Sequence, residues 1–200
     1  MELLDKRIAG ICNELRKLRV KQKLSIEKVV YKKGNYLYPG DAEAAESDFV
    51  PFDARNMHWY GPDQHYWFRA EYTVPEELDH KAMWLHVRTQ IDEWDDGKNP
   101  QFLLFVNGEA VQGLDMNHRE VLLKSSAAAG ETLCLDLQSY TGTLHSEFNL
   151  ILEMWEVDAD IEKLYYDLWV PLSAFNRMDK DSMARIDLES FLYNIKYKGS

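Results

Sequence analysis

The chain has 200 residues, 46% of them hydrophobic, which is enough for one sizeable core or a core with a helical appendage. Its formal net charge of -11 and pI near 5.0 disfavour nucleic acid and anionic membranes as partners. Two cysteines, Cys12 and Cys134, lie far apart with no metal or redox spacing, and no apolar run approaches a membrane span. These features, with an N-terminus unlike a signal peptide, lead us to expect a cytoplasmic protein with reduced thiols.

Leu4, Ile8, Ile11, Leu15 and Leu18 recur at helical spacing and predict an amphipathic N-terminal helix, set within residues 1–25. Arg16, Lys17, Arg19, Lys21 and Lys23 come at its expected end, where cations complement the helix dipole. From Ile26 to Tyr38 the periodicity weakens. Gly34-Asn35 and Pro39-Gly40 mark turns, and the acidic, Ala-rich Asp41–Asp48 reads as a surface loop or one helical turn.

From Tyr66 the period changes to two. Tyr66, Phe68, Ala70, Tyr72 and Val74 share a face until Pro75 ends the strand. Met83, Leu85 and Val87 alternate in the same way, as do Leu133, Leu135 and Leu137, then Phe148, Leu150, Leu152 and Met154. Phe102–Val106 runs into Asn107-Gly108, a hairpin signal because both central residues of a type I′ turn need positive φ. With another strand at Glu120–Leu123, some seven strands without intervening helices predict an antiparallel sandwich or jelly roll over 26–157.

After Asp158 the helical period returns. Ile161, Leu164, Tyr165, Leu168, Leu172 and Phe175 lie on one face, Pro171 is expected to kink or end the helix, and Asp179–Ser182 can cap a last one. Tyr165, Leu168, Trp169, Leu172 and Phe175 form a stripe expected to pack on the sandwich or a partner chain.

Catalytic signatures are missing from this sequence. The six histidines include no His-x-His or His-x-x-x-His pair, and there is no Gly-x-Ser-x-Gly, P-loop or dinucleotide fingerprint. Asp92-Glu93-Trp94-Asp95-Asp96-Gly97 is acidic but lacks the alternating ligand spacing of a calcium loop. Two stretches remain. Trp59 and Trp67 lie in an aromatic-rich segment, His58–Arg69, suited either to a core or to stacking on a sugar. The octet Gly113–Glu120 gathers Asp115, Asn117, His118 and Arg119 in a loop beyond the hairpin, suited either to capping strands or to binding. Gly113 is expected to supply the turn, Asp115 and Asn117 to hold the loop, and His118 and Arg119 to reach outward.

Trp59-Tyr60-Gly61, Trp67-Phe68-Arg69, Val74-Pro75-Glu76, Val106-Asn107-Gly108 and above all the octet resemble the N-terminal β-domain of class II α-mannosidases, glycoside hydrolase family 38, of cytosolic or bacterial type. Leu164-Tyr165-Tyr166-Asp167-Leu168 resembles the segment that flanks that domain on its C-terminal side, leading through 158–200 toward a catalytic domain. The resemblance implies a galactose-binding-like jelly-roll β-sandwich with an N-terminal amphipathic helix and C-terminal helices. It implies an accessory role in cleaving α-mannosidic bonds, with the catalytic domain of the same polypeptide as partner; a free-standing carbohydrate-binding module and an oligomerisation scaffold without ligand are the alternative readings. A zinc-type divalent metal is implied for that catalytic domain and no cofactor for this chain; mannose-containing glycans and a homo-oligomer are further possible partners. No catalytic or metal residue transfers, because the motifs that carry them in the family have no match in this sequence.

Overall fold

A computed structural model describes residues 2–54, 56–90, 100–179 and 181–198, with side chains described over 5–193 of these. The elements run α1 (Glu2–Leu18), β1 (Val20–Ser25), β2 (Val29–Lys33), α2 (Pro39–Ala44), β3 (Val50–Phe52), β4 (Trp59–Tyr60), β5 (His65–Thr73) and β6 (Met83–Arg88). They continue β7 (Gln101–Val106), β8 (Glu109–Leu114), β9 (Glu120–Lys124), β10 (Thr132–Tyr140), β11 (Glu147–Phe148), β12 (Ile151–Val157), α3 (Ala159–Arg177) and α4 (Met183–Lys198). The chain divides into two compact units, Gln22–Glu156 and a helical unit of Met1–Lys21 with Val157–Ser200.

The first unit is a mainly β, sandwich-like domain. A six-stranded sheet in the order β3-β2-β5-β10-β7-β8 faces a four-stranded sheet ordered β1-β12-β6-β9, and β4 with β11 makes a small third sheet. Alternation explains the core. Phe68, Ala70, Leu104, Leu133, Leu135 and Leu137 from the larger sheet meet Met83, Leu85, Val87, Val121, Leu152 and Met154 from the smaller in one buried cluster. The opposite face of β12 is apolar for a local reason: Trp155 stacks on His86 at 3.8 Å, and Lys23 Nζ lies 4.4 Å from its ring.

Helix α1 stops at Leu18, so Lys21 and Lys23 belong to strand β1 rather than to the end of a helix. The alternating half-buried and exposed positions of Val-Lys-Gln-Lys-Leu-Ser are a strand period that the run of charges conceals. Between Gly34 and Phe49 the chain crosses the outer face of the larger sheet. There Ala42 packs on Trp67 and Phe105, and the buried Lys32 ammonium donates to the carbonyls of Ala42 and Ala45.

In the helical unit the apolar face of α3 packs on α1. Leu168, Leu172 and Phe175 cluster with Ile8, Cys12 and Leu192, so the stripe finds its cover in the N-terminal helix, while Trp169 stays exposed. The first and last segments, read from sequence as separate regions, therefore form one unit. Pro171 does not end α3, which runs on to Arg177; burial of Leu168 before it and Leu172 and Phe175 after it offsets the lost backbone bond. Asp158 caps α3 by accepting from the N–H of Asp160 and Ile161, and Arg19 pairs with Glu162 at 2.5 Å.

Candidate functional site

The strand register gathers chemically active side chains at one end of the sandwich. Tyr140 at the end of β10 pairs with His65 at the start of β5 and with Gln101 at the start of β7, whose Phe102 pairs with Leu114 at the end of β8. The octet loop leaves from Leu114 at this end and returns into β9.

The approach is a tight hairpin. Asn107 and Gly108 both have positive φ, 52° and 87°. The Asn107 N–H donates to the Cys134 carbonyl at 2.8 Å, while the Asn107 side chain accepts the Cys134 N–H. Strand β8 then continues through Gly113, which has no positive φ. The chain turns two residues later than expected, at Asp115–His118. Asp115 and His118 exchange backbone bonds at 3.1 and 3.2 Å, and Asp115 Oδ1 accepts from the N–H of Asn117 at 2.8 Å and of His118 at 2.9 Å.

Burial pushes the Asp115 carboxyl upward, but the two backbone donors and the His118 ring, 3.0 Å away, together hold it below the usual range. Its position leaves the His118 side chain 69% exposed. Asn117 is exposed too. Arg119 turns inward instead of reaching outward: its Nε donates to the Met116 carbonyl at 2.8 Å, and the Arg119 carbonyl accepts from Val87 N–H. Beneath the loop is a space of about 10 Å³ bounded by Val87, Thr89, Phe102, Leu114, Asp115 and Arg119. That volume suits one water. The octet is thus a rigid rim and not a pocket.

The two tryptophans do not join it. Trp59 is 1% exposed and packs edge-on against Tyr66, Phe68 and Phe102, with its Nε1 donating to the Asn149 carbonyl. Trp67 is fully covered beneath α2, against Phe105 and Ala42. Neither ring faces solvent, so the carbohydrate-facing expectation for these two is corrected to a packing role.

Asp63 and His65 of the aromatic-rich segment meet Tyr140, which no motif marked, at the same end of the sandwich. The Tyr140 hydroxyl donates to Asp63 Oδ1 at 2.9 Å, and the His65 ring lies over Tyr140 at 5.0 Å. Asp63 and Tyr140 are 77 positions apart, so only the fold brings them together. A larger cavity of about 250 Å³ is lined by Ser25, Ile26, Glu27, Asp53, Ala54, Ile151 and Leu152, without an aromatic ring. Among the described residues no three His, Cys, Asp or Glu side chains are grouped to hold a metal. The acidic run Asp92–Gly97 lies outside the described residues. No described helix is long and apolar enough to cross a membrane.

No family model matches the sequence, and no curated protein matches it. Solved structures of β-glucuronidase from Ruminococcus gnavus show a partial likeness to this chain. The complexes with D-glucaro-d-lactam and with D-glucuronic acid each give a TM-score of 0.45 at 10% identity, covering 70% of this chain and 30% of that one. A further crystal structure of the same enzyme gives 0.43 at 11% identity, covering 68% and 29%. The chain therefore spans less than a third of the length of those glycoside hydrolase chains.

Proposed function

We propose that this chain is a non-catalytic accessory domain of a glycosidase, specifically of an α-mannosidase, which packs on the catalytic domain and helps shape its active site. The observation that carries this reading is the octet loop. Its sequence resembles the family's most specific segment, and its geometry is that of a rim fixed at both ends with one imidazole turned outward. With Nδ1 bonded to Asp115, the ring leaves Nε2 to meet a hydroxyl of a mannose-containing glycan held against a neighbouring domain. The chemistry of bond cleavage, with the zinc-type metal the family implies, is assigned to the catalytic domain. The two free thiols, Cys12 and Cys134, suit the reducing cytoplasm in which we place the protein.

The complete reading frame that carries this domain supplies the test. With zinc or cobalt added, it should hydrolyse an aryl α-mannoside and leave an aryl β-glucuronide intact, while residues 1–200 alone turn over neither. His118→Ala in the complete protein should lower kcat/KM about tenfold, the loss of roughly 1.4 kcal/mol of transition-state binding, with little change in Tm. Cleavage of the glucuronide alone, or metal-dependent turnover by the isolated chain that one carboxylate substitution abolishes, would overturn the reading.

A further inference from the structure

We infer that Asp63, His65 and Tyr140 form a second glycan-contacting subsite, on the outer face of the larger sheet, that takes one neutral sugar residue. The inference rests on the carbohydrate-facing reading of this end of the sandwich and adds Tyr140 to two residues of the aromatic-rich segment.

Two observations meet here. First, the backbone at Asp63 is left-handed, with a φ of 55° that Asp and Asn adopt more readily than other non-glycine residues. It is held there by its own N–H, which donates to the Gly142 carbonyl at 2.7 Å, and by the Tyr140 hydroxyl on Oδ1. The next residue is tied down as well, since Gln64 N–H donates to Thr141 Oγ1 and Thr141 N–H to the Gln64 carbonyl, both at 3.0 Å. The Asp63 carboxylate is thereby fixed in place beside Tyr140.

Second, the cluster has polar capacity to spare. Tyr140 occupies Asp63 Oδ1, and among the described residues nothing donates to Oδ2 or bonds the ring nitrogens of His65. The stacked His65 and Tyr140 rings, 31° apart in tilt, add an apolar edge. A pyranose matches this set, with hydroxyls for the carboxylate and imidazole and a C–H face for the rings. An anionic ligand does not, because the free carboxylate oxygen would repel it.

The cluster shares an end of the sandwich with the octet but not a face. Tyr140 and Leu114 end strands separated only by β7, but they face opposite sides of the sheet: Tyr140 and His65 are in phase with Gln138 and Trp67 on the outer face, whereas Leu114 is in the core. The subsite is therefore separate from the octet.

The test is a titration of the isotope-labelled chain with α-mannobiose, monitored by amide NMR. Binding should shift the signals of Asp63, Gln64, His65, Tyr140 and Thr141. Asp63→Asn tolerates the same backbone while removing the charge, and should weaken binding at least tenfold with Tm nearly unchanged. Tyr140→Phe keeps the ring and should weaken it less. Shifts confined to residues 115–119, no binding at all, or an Asp63→Asn chain that binds as tightly as the original would each overturn the subsite. None of these results touches the accessory-domain reading, which is decided by the substrate of the complete protein.

Discussion

Arg69 and Asp136 are joined across neighbouring strands, Nε to Oδ1 at 2.7 Å, with the carboxylate only 1% exposed. Arg69 also lies over the Phe49 ring and 3.7 Å from Glu43, so the pair ties the 34–49 segment to the outer face of the larger sheet. Burial lowers the Arg69 pKa, yet the bond and charge of Asp136 more than restore it.

Breaking that pair from one side should be costly. Arg69→Met leaves Asp136 charged and covered, and should destabilise the fold by about 3–5 kcal/mol. Asp136→Leu together with Arg69→Met removes both charges and should lose much less. Denaturant midpoints for the two singles and the double decide it; an additive double variant would show that the two groups are not coupled.

Inside the core, a hydroxyl gives a second expected outcome. Tyr72 OH is buried with no hydrogen-bond partner among the described residues, and burial, with Glu77 adding repulsion, pushes its pKa up to about 12. A pKa raised on folding contributes stability that is whole below the ordinary value of 10.0 and is lost as pH rises toward about 12. Tyr72→Phe should therefore raise Tm at neutral pH by a few degrees, from roughly 1 kcal/mol of relieved desolvation, and should move alkaline unfolding upward. An unchanged alkaline limb would assign that transition elsewhere.

Much of the sandwich was legible because period-two alternation is a local signal. The inward residues of β5, β6 and β10 come directly from it, as does the Asn107-Gly108 turn. Strand β1 was not legible, since Lys21 and Lys23 continue the charge run of the preceding helix. Tertiary covering was invisible as well: nothing around Trp67 says that Ala42 will close over it, and nothing near Arg19 announces Glu162, 143 positions away. At the site, a polar loop held by Asp115 was readable from the sequence, but its turn was expected at Gly113 and falls at Asp115–His118. Its direction was not readable, because Arg119 found a carbonyl inside the loop. Asp63 and Tyr140 are a product of strand register alone.

The helical unit offers a contrast between two phenylalanines. Phe175 is 1% exposed among Ile8, Cys12, Leu168 and Leu172, and its ring lies 3.9 Å from the Arg185 guanidinium. Phe191 on the next helix is 51% exposed. Phe175→Ala should cost about 3–5 kcal/mol through lost burial and the cavity left behind. Phe191→Ala should stay within about 0.5 kcal/mol. Equal losses in thermal melts of the two variants would mean that the packing of α3 on α1 is not what stabilises this unit.

Asp115 is held by its own loop in the ionised form. Burial works against that form, but the N–H groups of Asn117 and His118 and the His118 ring prevail, so its pKa lies below the usual 3.8. A carboxylate depressed on folding contributes stability above its unfolded pKa and loses it as pH falls through the lower folded value. Asp115→Asn keeps the shape and an acceptor oxygen but not the charge. At pH 7 it should therefore melt a few degrees lower than the parent, on the order of 1 kcal/mol for a charge-assisted turn. The gap should narrow as the parent is acidified below about pH 4 and its own carboxylate gains a proton. His118→Ala supplies the control. It removes the ring contact but keeps both backbone donors, so it should shift Tm less than Asp115→Asn does. If Asp115→Asn melts with the parent at every pH, the charge does not hold the loop, and the outward pose of His118 needs another cause.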